Sequence, residues 1–168
     1  MKVVVSVGDV LRVAADVLIS TANPWLNMSG GVNGAIRELE PHVQSELHRH
    51  LDSLGKSALP PGSVVRTGAG SLPFSHIIHA VAIDPFYESS ERLVADTLAA
   101  AFRLALTLDA TSVSLPMLAT GYGPISTEAF GRAFAASIVD RFPIQAVHLI
   151  VRKEEHAATI KSILDREV

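Results

Sequence analysis

Three short stretches hold the residue types best suited to gripping a phosphorylated sugar: Gly8-Asp9-Val10, the run STANPWLNMSGGVNGAIRE over 20–38, and LATGYGPIS over 118–126. Each follows an apolar, strand-like segment, and the last two run into helix-like patterns. Glycines let a backbone approach a ligand closely, helix N-termini present unpaired N–H groups, and Asn or Asp adds directional hydrogen bonds. Taken singly, each loop is also an ordinary tight connection between strand and helix. On its own, Asp9 reads as a turn cap, and Asn23 as the residue that caps the turn begun by Pro24.

Other reactive side chains read more plainly. His79 lies in an apolar strand pattern and is expected to be a hydrogen-bonded core histidine rather than a catalytic base. His42, His48 and His50 cluster in EPHVQSELHRHL, yet positions two apart on a helix face different sides, so no converging metal ligands and no metal are expected. Trp25, the only tryptophan, follows Pro24 and is either a lid over a bound sugar or a plug beneath its loop.

The elements that must position these loops alternate in type. Segments 2–7, 15–21, 63–68, 76–83, 111–117 and 144–151 are apolar and β-branched, as strands are, and several are apolar enough to be buried on both faces. Segments 33–39, 42–53, 90–108, 126–141 and 153–166 carry helical spacing. Ser89-Ser90-Glu91 and Ser126-Thr127-Glu128 mark two of their starts. Such alternation predicts an α/β fold, a three-layer α/β/α sandwich around a mixed central sheet. In that architecture ligands bind beyond the carboxyl ends of the strands, where all three loops fall.

Composition narrows the partners. The 168 residues, 48% of them apolar, suit one compact domain spanning 1–168. With 14 basic against 17 acidic side chains, a formal charge of −3 and no basic block, binding of long nucleic acid through its phosphates is disfavoured. The absence of cysteine excludes disulfide and thiolate chemistry. No signal-like start and no membrane-length apolar run is evident, and a cytoplasmic protein is expected. No G-x-G-x-x-G follows a strand, which argues against a dinucleotide oxidoreductase.

In combination, the three loops and the strand SHIIHAV resemble the macro domain family, which binds ADP-ribose. The matching residues are Gly8-Asp9-Val10, Ala22-Asn23, Gly30-Gly31-Val32, Gly34-Ala35-Ile36, Ile78-His79-Ala80-Val81 and Pro116 with Thr120-Gly121. The resemblance runs from about Lys2 to the last helix. It implies that Asp9 accepts from the adenine amino group while the Val10 N–H reaches a ring nitrogen, and that Asn23 bonds the distal ribose. It further implies that Gly30, Gly31, Val32 and Asn33 pass beside that ribose and the diphosphate. Leu118, Ala119, Thr120, Gly121, Tyr122 and Gly123 would wrap the diphosphate from the other side. No cofactor is implied; the partner is ADP-ribose or a molecule carrying it.

The chain also departs from the family pattern. Ser20 stands where the first Asn of Asn-Ala-Ala-Asn is usual, the glycine run is shortened to Ser29-Gly30-Gly31, Asn33 stands where Val-Asp-Gly has its acid, and the phosphate loop reads Thr-Gly-Tyr-Gly, about one residue short. Asn33 cannot act as a general base. A binding module is therefore expected ahead of an ADP-ribosyl hydrolase or O-acetyl-ADP-ribose deacetylase, which here would depend on water attack assisted by the substrate's phosphate. On this reading Asn33→Asp would add turnover and leave binding nearly unchanged.

Overall fold

The computed structural model describes residues 1–121, 123–138 and 142–168. Six strands form one sheet: β1 (Lys2–Val7), β2 (Val17–Ala22), β3 (Val64–Gly68), β4 (His76–Val81), β5 (Ser112–Leu115) and β6 (Ala146–Val151). Their order is β1-β6-β5-β2-β4-β3. Only β3, at one edge, runs antiparallel to its neighbour. The sheet is thus mixed, as expected.

Alternation along each strand builds two cores. Ile19, Ile78, Ala80, Val113 and Leu149 face α3 (Glu91–Thr107), α4 (Thr127–Ile138) and α5 (Glu154–Glu167), packing on Leu98, Phe102, Phe130, Phe134 and Ile160. Leu18, Ile77, Val81 and Ile150 point the other way, onto Ile36 of α1 (Gly31–Leu39) and Val43, Leu47 and Leu51 of α2 (His42–Ser53). Removing this apolar surface from water from both faces is what holds three layers together. Side-chain caps start two helices where the sequence signals them: the Ser90 Oγ accepts from the Leu93 N–H at 3.0 Å, and the Ser126 Oγ from the Ala129 N–H at 3.1 Å.

The boundaries differ from expectation for local reasons. β5 stops at Leu115 because Pro116 has no N–H to continue a ladder. α1 begins two residues early, at Gly31. A short 3-10 turn, Val10–Arg12, follows β1 and was not expected. Residues 139–141, expected at the end of α4, lie outside the described residues. Among the described residues no helix is long and apolar enough to cross a membrane.

Asp16 staples the end of the sheet where β2, β4 and β5 begin. Its Oδ2 accepts from the Thr111 N–H (2.8 Å), the Thr111 hydroxyl (2.9 Å) and the Ser112 N–H (2.9 Å). Its carbonyl accepts from the Ser75 N–H at 2.9 Å. These donors, the Thr111 N–H foremost, hold the Asp16 carboxyl below the usual carboxylate range. With the starts of three parallel strands tied, their carboxyl ends reach the opposite edge in register, and the loops there are left to form a site.

Candidate ligand-binding cleft

The loop between β2 and α1 is a built structure. Asn23 closes it: its Oδ1 accepts from the Asn27 N–H (3.1 Å) and its Nδ2 donates to the Asn27 carbonyl (2.9 Å). Leu26, at φ 55, turns the chain inward and is buried. From α2, Gln44 accepts from the Met28 N–H (2.7 Å) and donates to the Leu26 carbonyl (2.9 Å), and the His48 Nε2 lies 3.1 Å from the Asn27 Oδ1. His48 thus braces a loop. Gly30 and Gly31 then take φ of 63 and 54, a left-handed backbone that glycine adopts without penalty. No side chain caps α1 at Gly30, so its first N–H groups and the positive end of its dipole are available to an anion.

Asn33, in the first turn of α1, faces the sheet. Its Oδ1 accepts the Ser20 hydroxyl proton at 2.8 Å, and its Nδ2 donates to the Thr21 carbonyl in a short contact. The residue is buried. Two of the positions where the sequence leaves the family pattern, Ser20 and Asn33, are therefore bonded to each other. This weighs against the expectation that Asn33→Asp leaves binding nearly unchanged: a carboxylate has no donor for the Thr21 carbonyl, and its second oxygen would lie against it.

Beyond the carboxyl ends of the parallel strands lies a cleft of about 670 Å³. Of the residues expected at a site, Val10, Asn23, Gly30, Gly31, Val32, Asn33, Ala119, Thr120, Gly121 and Gly123 line it. Asp9 lies between the lining residues Gly8 and Val10 and is not itself part of the wall. Its Oδ1 caps the 3-10 turn by accepting from the Leu11 N–H at 3.0 Å. Leu118 is fully buried in the core, so its side chain points away from the cleft. Tyr122 lies outside the described residues. Trp25 does not line the cleft; it is half-buried, with its ring 6.2 Å from that of Tyr87.

The opposite wall, after β5, is as tightly made. Ala119 adopts φ 58 and its carbonyl accepts from the Ile125 N–H at 3.1 Å. A Cβ at Gly123 would fall 2.3 Å from that carbonyl oxygen, so only glycine fits there. Ser126 and Thr127, at the start of α4, join the wall.

Sequence reasoning missed a third wall. Arg152 and His156, at the start of α5, line the cleft beside Gly8. They arrive because β6 pairs with β1, and the Gly8 N–H donates to the Val151 carbonyl at 2.9 Å. Tyr87 and Ile83, after β4, also line it. No Asp or Glu does among the described residues, and Arg152 is the one permanent cation there. The floor is apolar, from Met117, Ile125 and Ile150. Such a cleft fits a ligand with an apolar ring and an anion held by backbone N–H groups. His79 is remote from this chemistry: it is fully buried, its Nε2 is 2.9 Å from the Thr67 Oγ1, and burial pushes its pKa down to about 3.

A family model described as Macro domain matches residues 19–133. The O-acetyl-ADP-ribose deacetylase of Klebsiella pneumoniae (strain 342) is 35% identical over 169 residues, covering 95% of this chain and 94% of that protein. A point mutant of the Oceanobacillus iheyensis macrodomain with ADPR has a TM-score of 0.87 at 23% identity, covering 96% of this chain and 91% of that one. The same macrodomain with ADP has a TM-score of 0.86 at 24% identity, covering 95% and 88%. At these identities the solved structures speak for the fold.

Proposed function

Because the chain belongs to the macro domain family, we propose that its cleft binds ADP-ribose, free or conjugated, and that residues 1–168 act as one recognition domain. The observation that carries this reading is the acid-free cleft between the uncapped start of α1 and the 119–123 loop. A diphosphate placed there meets N–H groups and the positive end of a helix dipole, without a carboxylate to repel it.

The residue roles follow from the same reading. Asp9 takes the adenine amino group with the oxygen not used in its cap, and the Val10 N–H takes a ring nitrogen. Asn23 reaches the distal ribose with its spare N–H and lone pair, since an amide has two of each and its loop uses one. The backbones of Gly30, Gly31 and Val32 on one side, and of Ala119, Thr120, Gly121 and Gly123 on the other, enclose the diphosphate.

A second reading, deacetylation of O-acetyl-ADP-ribose, is favoured by one finding: a relative bearing that name is 35% identical over nearly the whole chain. Asn33 weighs against it, being neutral and already bonded on both sides. Calorimetric titration with ADP-ribose and AMP tests the binding role. ADP-ribose is expected to bind at least about tenfold more tightly, a gap of about 1.4 kcal/mol; equal affinities would overturn it. Robust release of acetate from O-acetyl-ADP-ribose, lost on Asn23→Ala, would favour the enzyme.

A further inference from the structure

The loop from β4 to α3 displays aromatic surface that the core does not use. Phe86 is 82% exposed and Tyr87 45%, whereas Phe102, Phe130 and Phe134 are fully buried. The display is built. The Asp84 Oδ1 accepts from the Phe86 N–H (2.8 Å) and the Glu88 N–H (2.9 Å), the Asp84 N–H donates to the Glu88 carbonyl (2.9 Å), and the Tyr87 N–H donates to the Asp84 carbonyl (3.0 Å). Tyr87 is held at φ 60, where Gly or Asn would make the same turn with less strain. Strained backbone over-determined by hydrogen bonds, beside a cleft, points to use.

Tyr87 does two things at once. It lines the cleft, and its ring lies 6.2 Å from that of Trp25 at 42°, so Trp25 and Tyr87 continue the cleft outward, with the exposed Phe86 next to Tyr87 in the same turn. Trp25 stands in the chain between Asn23 and Asn27, which both line the cleft. The segment 84–91, DPFYESSE, has three acids and no Lys or Arg. Arg132 pairs with Glu91 at 2.9 Å, leaving Asp84 and Glu88 beside the aromatics. Carboxylates repel a nucleic-acid backbone, while an aromatic surface rimmed by them complements apolar and basic side chains.

We propose that this shelf holds the polypeptide to which ADP-ribose is attached, gripping an apolar or basic side chain next to the modified residue. The proposal rests on the ADP-ribose reading of the cleft and selects a protein conjugate as its ligand.

The test titrates three probes: free ADP-ribose, a peptide ADP-ribosylated between Leu and Lys, and the same peptide with Gly on both sides. The wild-type protein is expected to bind the Leu/Lys peptide at least about tenfold more tightly than the other two. Phe86→Ala, outside the cleft wall and exposed, should erase that preference and leave affinity for free ADP-ribose unchanged. Equal binding of all three probes overturns the proposal alone, and so does a preference that survives Phe86→Ala. Binding of none overturns the cleft reading along with it. Concentration-dependent dimerisation abolished by Phe86→Ala, without any peptide preference, would give the shelf to a second copy and overturn the peptide.

Discussion

Residue 33 shows how a single side chain can be read from a family pattern and still be misjudged. An Asn in place of an acid suggests a missing catalytic group, yet here its amide is a two-sided clamp between Ser20 and the Thr21 carbonyl. Asn33→Asp is expected to destabilise the domain by about 1–3 kcal/mol, the cost of leaving buried polar groups unpaired. It should also weaken ADP-ribose binding, because α1, whose N-terminus faces the cleft, begins only two residues earlier, at Gly31. Adding Ser20→Asn, which supplies an amide donor to the new carboxylate, should restore part of the loss. Thermal unfolding and calorimetry of both variants decide it; an Asn33→Asp protein as stable as wild type would dismiss the clamp. Asp9 separates in the same manner. Asp9→Ser keeps a cap acceptor and removes the carboxylate, so stability should hold while ADP-ribose affinity falls by about 1.5–3 kcal/mol. Unchanged affinity would reduce Asp9 to the cap it visibly is.

At the scale of elements, β3 and β4 are joined across their ladder by the Thr67 Oγ1 and His79 Nε2, 2.9 Å apart. Burial pushes His79 from 6.5 to about 3. Below 6.5 the unfolded chain takes up a proton there that the folded chain refuses. Stability is therefore full above that value and falls as pH drops toward about 3, by up to about 1.4 kcal/mol per pH unit. His79→Gln, which retains a partner for Thr67, should flatten melting temperature between pH 6.5 and 5. Asp16, also lowered, acts only below its ordinary 3.8; equal slopes in wild type and variant would rule out His79. The strands and helices were legible because their apolar periods are long and uninterrupted, and the glycine-marked walls because turns need those residues. Arg152 and His156 were not legible: VRKEEHA reads as an ordinary helix start, and only the non-consecutive pairing of β6 with β1 brings it to Gly8. Tyr87 escaped notice because its turn lacks the glycine that marks the others.

For the whole molecule, the charge balance predicts how binding responds to salt. The chain is formally −3, the diphosphate is anionic, and the described cleft offers Arg152 as its one permanent cation. Long-range electrostatics therefore oppose association slightly, and salt screens that repulsion. Short-range attraction comes from backbone N–H groups and the start of α1, which a bound ligand covers and salt reaches poorly. The two effects partly cancel, so ADP-ribose affinity should change by less than about threefold between roughly 50 and 500 mM sodium chloride. Arg152→Ala should make the response flatter still, or turn it toward tighter binding at high salt, because it removes the cation whose attraction salt would weaken. Calorimetry across that range gives the slope. A tenfold or greater loss of affinity would mean that Lys and Arg side chains on the surface hold the phosphates, and the anion would then have to be moved out of the backbone-lined cleft.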